Sequence, residues 1–240
     1  MYDAPKFLMS GDSCLAVEFS DEIEIGANIR LQNLRRALAA KNIRGVREFV
    51  PTYRSLYIHH DPLVLPRDTL KDITARALEN LSGEGAAESR ILLMPVSYGG
   101  EFGPDIENVS LRTGLGVSDI IERHTARDYY CYMLGFTPGF GYLGGMDESL
   151  AVPRLREPRT LIPAGSVGIA GKQTGAYSID SPGGWQLIGR TPLKLFDPED
   201  ETNPTLLNPG DWIRFQSVSR GEYDAIKKDI DAGKYKVIYR

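Results

Sequence analysis

Glycine is distributed too unevenly over these 240 residues for one architecture to run from end to end. The first 90 residues hold 5 of the 25 glycines, and residues 135–190 hold 12. Glycine permits positive φ and close backbone approach, but it weakens helices and strands from within. A glycine-poor stretch suits regular helices and strands; a stretch that turns every few residues suits many short strands. A seam between the two is expected at Ser82-Gly83-Glu84-Gly85-Ala86-Ala87-Glu88-Ser89, which is small, polar and without apolar period. The chain then divides into a small domain, 1–85, and a larger one, 86–240.

The first domain reads strand, strand, helix, strand, strand, helix. Leu15, Val17 and Phe19 alternate with Ala16 and Glu18, the period of a half-buried strand. Ser20 or Asp21 is placed to cap a helix whose apolar face is Ala27, Leu31, Leu34 and Leu38. Gly45 opens a strand through Val46, Phe49 and Val50, and Pro51-Thr52 turns it into Leu56-Tyr57-Ile58. Pro66 suits the first turn of a second helix, where its missing N–H costs little. That helix presents Leu70, Ile73, Ala77 and Leu81. The expectation is an α+β domain with two helices on one face of an antiparallel sheet. His59 and His60, beside Asp61, read either as a metal or proton site or as a solvated strand end.

Beyond the seam, residues 91–96 read as a strand, 97–100 as a turn, and 109–113 and 117–125 as helices, with Ser118 a candidate cap. From Tyr129 short apolar runs alternate with Gly and Pro, as in a mainly-β domain that closes into a barrel or sandwich. Residues 223–232 return to a helical pattern, and Lys236-Val237-Ile238-Tyr239 reads as a last strand. The 28 Lys and Arg against 32 Asp and Glu lack the basic surplus of a nucleic-acid binder. At 42% hydrophobic and 25% charged, the chain is neither disordered nor fibrous. Cys14 and Cys131 lie in apolar or aromatic runs and fit free thiols in a reducing cytosol. No run approaches the ~18 apolar residues of a membrane helix. Residues 1–12 lack a secretion pattern, so the cytoplasm is the expected location.

Four glycine-rich blocks, at 135–145, 163–175, 181–185 and 189–192, set the second domain apart. Such loops let a ligand approach and can aim N–H groups at an anion; tight barrel corners need glycine equally. Gly165-Ser166-Val167-Gly168 lacks the lysine of a phosphate loop, and no Gly-x-Gly-x-x-Gly run opens a helix. The polar side chains among these glycines are the candidates. Arg190 can grip a carboxylate or phosphate with its planar fork, or belong to a structural salt bridge. Gln173 and Thr174 can hydrogen-bond a small ligand or cap a turn. Arg154, Arg156 and Arg159 read as a solvated basic loop before an anion site. His124, ending a helix, can act as acid or base, or sit as a cation at the helix C-terminus. Asp105 and Glu107 can support a base or hold magnesium, although solvated turn acids account for them more simply. Cys131, between two tyrosines, reads as core rather than nucleophile.

Pro95-Val96-Ser97-Tyr98-Gly99-Gly100-Glu101-Phe102-Gly103-Pro104-Asp105 resembles a signature of the 5-oxoprolinase B-subunit family. This family is also called allophanate hydrolase subunit 1 or the kinase-A inhibitor (KipI) family. The four glycine blocks resemble it too, as does Leu206-Leu207-Asn208-Pro209-Gly210-Asp211-Trp212-Ile213-Arg214-Phe215. The resemblance implies an α+β N-terminal domain and a cyclophilin-like β-barrel of carboxyltransferase C/D type behind it. It implies ATP-dependent opening of 5-oxoproline to L-glutamate, with a relative of the C subunit (KipA-like) and a relative of the A subunit (LamB/YcsF-like) as partners. Mg2+ would accompany ATP, bound mainly through phosphates, with no metal ligands on this chain.

The residues matching family motifs are His124, Gly139, Gly165, Ser166, Gln173, Thr174, Ser181, Gly183, Gly184, Trp185 and Arg190. Of these, His124, Gln173 and Arg190 are taken as the catalytic candidates and the other eight as the substrate- or ATP-binding ones. The three catalytic candidates are expected to converge on one concave face. The chain departs from the family at Ser97, where cysteine is common, at Gly141, where proline is usual, and at Ala176-Tyr177-Ser178, where Ile-Tyr-Pro is usual. Two other functions within the resemblance are a non-catalytic inhibitor of a sporulation-type histidine kinase and an allophanate hydrolase or carboxyltransferase-type subunit.

Overall fold

The computed structural model describes residues 1–81 and 90–240, so the seam expected at 82–89 lies outside the described residues. The chain forms two compact units, Met1–Ser89 and Arg90–Arg240.

In the first unit β1 (Lys6–Met9), β2 (Cys14–Glu18), β3 (Val46–Pro51) and β4 (Ser55–His60) form an antiparallel sheet in the order β1-β2-β4-β3. Helices α1 (Ile25–Ala39) and α2 (Arg67–Asn80) pack with it. Ala27, Leu31, Leu34 and Leu38 of α1 and Leu70 and Ala77 of α2 are buried with Leu15, Val17 and Ile58 of the sheet. The helix starts differ from expectation. Glu24, not Ser20 or Asp21, is the cap position of α1, because the Ser20 hydroxyl donates to Glu24 Oε1 at 2.6 Å in a turn ahead of the helix. Pro66 caps α2 from just outside its first turn. His60 is buried, its Nδ1 2.9 Å from the Leu65 carbonyl oxygen, and His59 lies 4.0 Å from the Cys14 thiol. Among the described residues, no three His, Cys, Asp or Glu side chains gather to hold a metal ion, and no helix is long and apolar enough to cross a membrane.

The second unit is a nearly closed barrel of mixed sheet. Its strands are β5 (Ile91–Tyr98), β6 (Tyr129–Leu134), β7 (Gly141–Gly144), β9 (Ser166–Ala170), β10 (Gln173–Ala176), β12 (Gln186–Arg190) and β13 (Trp212–Ser217). They run in the order β10-β9-β12-β5-β13-β6-β7, with β5 and β13 parallel, and the end strands β10 and β7 approach each other. A separate ribbon pairs β8 (Arg159–Ile162) with β11 (Ser181–Gly183). Helices α3 (Ile106–Thr113), α4 (Val117–Thr125) and α5 (Arg220–Asp231) complete the unit. The expected turn at 97–100 begins later, because β5 continues through Ser97 and Tyr98, which pair with Arg190 and Gly189. Gly116, not Ser118, caps α4, and its N–H donates to the Asp119 carboxylate at 3.1 Å. The expected last strand is reduced to a bridge between Leu92 and Tyr239.

A bulge in β12 sets what each face of this sheet carries. Leu187 pairs with Gly168 and Gly189 with Val167, so Ile188 is the extra residue. Ile188 and Gly189 therefore both turn inward beside Val96 and Val167, and Arg190 turns outward. Directly paired residues share a face, so Ser97, Arg190 and Ser166 form one outward row across β5, β12 and β9.

Candidate functional site

On the inward face His124 is sealed into the core. It is fully buried and stacked on Phe215, ring centroids 4.4 Å apart. Its Nδ1 lies 2.7 Å from the Tyr98 hydroxyl and its Nε2 2.7 Å from the Thr174 hydroxyl, which donates onward to the Gly168 carbonyl at 3.1 Å. With its proton given to Gly168, Thr174 must accept from His124, so the imidazole proton sits on Nε2. Nδ1 then accepts from Tyr98. Burial lowers the His124 pKa from 6.5 to about 3 and raises that of Tyr98 well above the usual phenol range, so the chain of hydrogen bonds is neutral throughout. His124 is thus neither at the surface of a cleft nor a cation at its helix end.

The signature stretch 95–105 builds the other side of β12. A Cβ on Gly103 would overlap the Ile188 carbonyl, so only glycine lets the loop press against the bulge. Asp105, expected in solvent, is buried. Its Oδ2 accepts the Leu187 N–H at 2.7 Å and its Oδ1 pairs with Arg159 at 2.7 Å. Arg159 is therefore a structural partner and not part of a solvated loop. Asn108 of α3 donates to Gln186 at 2.8 Å, a second tie to β12.

Arg190 emerges from this braced strand. Its guanidinium lies over the Phe102 ring, 5.2 Å from the centroid, and no carboxylate pairs with it among the described residues. Its Nε and the Ser166 Oγ, neighbours in the outward row, are both buried and both without a hydrogen-bond partner. Gly165, at φ +81°, lets Thr191 and the Arg190 stem lie against its backbone. Its N–H is taken by the Tyr177 carbonyl at 2.7 Å, and the Ser166 N–H reaches the Pro163 carbonyl at 3.2 Å. This glycine loop therefore offers shape rather than free N–H donors.

The same outward face carries a cavity of about 300 Å³. Phe140, Tyr142, Tyr177 and Trp185 wall it, and Gly183 and Gly184 leave its floor without side chains. Phe140 meets each of Tyr142, Tyr177 and Trp185 edge-to-face, at centroid distances of 5.5, 5.5 and 5.6 Å. At the rim stand Arg154 and Phe136; Phe136 is 61% exposed and held at φ +63°, a costly conformation for an aromatic residue. Arg154 makes no ion pair or hydrogen bond among the described residues, and its charge is felt by the Tyr177 phenol.

The expected convergence of His124, Gln173 and Arg190 is not what forms. His124 and Thr174 face the core. Gln173 pairs with Ala170 at one end of β9 and Arg190 with Ser166 at the other, four residues or ~13 Å along the strand. Gly183, Gly184 and Trp185 line the cavity, with the buried Ser181 Oγ, also without a partner, two residues away. Gly139 lines a neighbouring cleft that shares Phe136. Sequence reasoning missed Arg154 as a rim residue and Phe136, Phe140, Tyr142 and Tyr177 as walls. The available signal was the crowding of aromatic residues between the glycines.

The carboxyltransferase domain, subdomain C and D, matches residues 5–207. The 5-oxoprolinase B subunit of Bacillus subtilis is 41% identical over 91% of this chain and 95% of its own length. That of Escherichia coli O157:H7 is 39% identical over 88% and 95%. The solved structure of TTHA0988 is 36% identical with a TM-score of 0.75; it covers 86% of this chain, which spans 40% of that longer protein. The urea amidolyase of K. lactis shares the fold at a TM-score of 0.75 and 20% identity, covering 98% of this chain and 16% of its own. Matched nearly end to end at these identities, the chain belongs to the 5-oxoprolinase B-subunit family of carboxyltransferase C and D subdomains.

Proposed function

We propose that this chain is a subunit of an ATP-dependent 5-oxoprolinase, which opens 5-oxoproline to L-glutamate together with partners of the A and C types. The observation that carries this reading is the nearly full-length match to the B. subtilis protein. A lactam amide is resonance-stabilised and a poor electrophile. Moving the γ-phosphoryl group of the co-substrate ATP onto the lactam oxygen releases ADP and makes the ring carbon open to attack. Water adds there, the C–N bond breaks with the nitrogen taking a proton, and a second water releases phosphate.

The outward face supplies what such a reaction asks of a binding subunit. The Arg190 Nε and the Ser166 Oγ suit an oxyanion, such as a phosphoryl oxygen, by charge and by hydrogen bonding. Both atoms are buried beside the Arg190 guanidinium, which lies over Phe102. Magnesium arrives on the phosphates and needs no cluster of protein carboxylates. His124 acts as a positioning residue that ties α4 to β5 and β10, and proton transfer falls to groups on the partner proteins.

The test is 5-oxoproline-dependent ADP release by the purified chain alone and with both partners. Turnover is expected only in the assembled complex. Turnover by the chain alone, or none with both partners present, overturns the proposal.

A further inference from the structure

We infer that the aromatic cavity on the outward face is the pocket for a small five-membered-ring carboxylate, with Arg154 gripping the carboxylate. The inference rests on the 5-oxoprolinase reading for the ring and on the cavity for the place. About 300 Å³ is the lower end of the ~300–1,000 Å³ range of small-molecule sites, so the ligand is compact. Phe140, Tyr177 and Trp185 stand nearly perpendicular to one another, at interplanar angles of 67°, 84° and 78°. Three such rings make the corner of a box, which receives a compact ring better than an extended chain.

The charge at the site is equally selective. Arg154 is the one charged residue of the lining, and its fork is not used by any protein carboxylate among the described residues. Arg159, five residues on, is consumed by Asp105. One free guanidinium matches one carboxylate, whereas a nucleotide brings several negative charges and a larger body. Tyr177 places this pocket beside the oxyanion pair. Its backbone N–H donates to the Ser166 carbonyl at 2.8 Å, so one strand spacing, ~4.8 Å, separates the pocket wall from Ser166.

The full-length chain is titrated by calorimetry and by indole N–H NMR signals with 5-oxoproline, with 2-pyrrolidinone (the lactam without its carboxylate) and with N-acetylprolinamide. The inference expects 5-oxoproline to shift the Trp185 indole signal and leave that of Trp212 in place. Arg154→Gln should weaken 5-oxoproline roughly tenfold and leave 2-pyrrolidinone unchanged. An unmoved Trp185 signal, equal weakening of both lactams, or tighter binding of N-acetylprolinamide than of 5-oxoproline overturns it. The last result would mark a docking site for a partner's proline. Turnover by the assembled complex without a Trp185 shift would sink the pocket and keep the oxoprolinase reading; a shift without turnover would do the reverse.

Discussion

Among single residues, His124 shows how one atom's partners decide a role. Sequence offered two readings, acid–base group or helix-end cation, and the buried position is neither, because sequence does not say which face of a short helix meets a barrel. His124→Phe keeps the stacking on Phe215 but leaves the buried Tyr98 hydroxyl without its acceptor and Thr174 with only its bond to Gly168, and should cost about 2–4 kcal/mol of stability by urea unfolding. The same site gives a pH dependence of known sign. The folded pKa is depressed to about 3 from 6.5, so the unfolded chain binds a proton across that window that the folded chain refuses. Stability from this group is complete above pH 6.5 and falls on acidification by up to ~1.4 kcal/mol per pH unit. Thermal unfolding at pH 7, 6 and 5 should show that slope, and His124→Phe should flatten it. Arg190→Lys should leave the melting temperature nearly unchanged, since no ion pair is lost, while oxyanion binding by the assembled complex weakens roughly tenfold with the loss of the planar fork. A sharp drop in melting temperature would point to a structural role instead.

At the level of elements, the first unit was largely legible because its burial follows the periods of 3.6 and 2. Ala27, Leu31, Leu34 and Leu38 are buried as their spacing requires. The second unit was legible as a barrel but not in detail. Asp105 looked like a solvent carboxylate, and only the approach of β12 gives it an N–H and an arginine to satisfy. The facing of β12 was not legible either, since alternation alone would put Arg190 inside. Two glycines separate these effects. Gly103→Ala must displace the Ile188 carbonyl and should abolish soluble folding. Gly184→Ala meets its nearest neighbours at 3.7 Å and should fold normally, as circular dichroism and solubility would show. Asp105→Ala should cost about 2–4 kcal/mol by urea unfolding, because it strands Arg159 and the Leu187 N–H.

For the whole molecule, each compact unit owns its own core, one built on Leu15, Leu31 and Ile58, the other on Met94, Val167 and Phe215. Residues 90–240 expressed alone should therefore unfold in a single cooperative thermal transition; a fragment without one would show that the two cores are interdependent. The bulge at Ile188 also has a consequence for how such a chain can change over generations. It works as slack in the ladder: one surplus residue stands outside the pairing that decides which side chains look inward. Loss of its one codon would leave a regular ladder in which Gly189 still meets Val167 on the inward face and Arg190 still meets Ser166 on the outward one, at the cost of the Ile188 side chain in the core. Apolar substitutions and even a deletion at position 188 keep the outward row, whereas one residue inserted after Gly189 would take the outward place opposite Ser166 and turn Arg190 inward. In a deletion scan along β12 this position should be the one whose loss keeps Arg190 outward, and in a substitution scan it should behave like ordinary core.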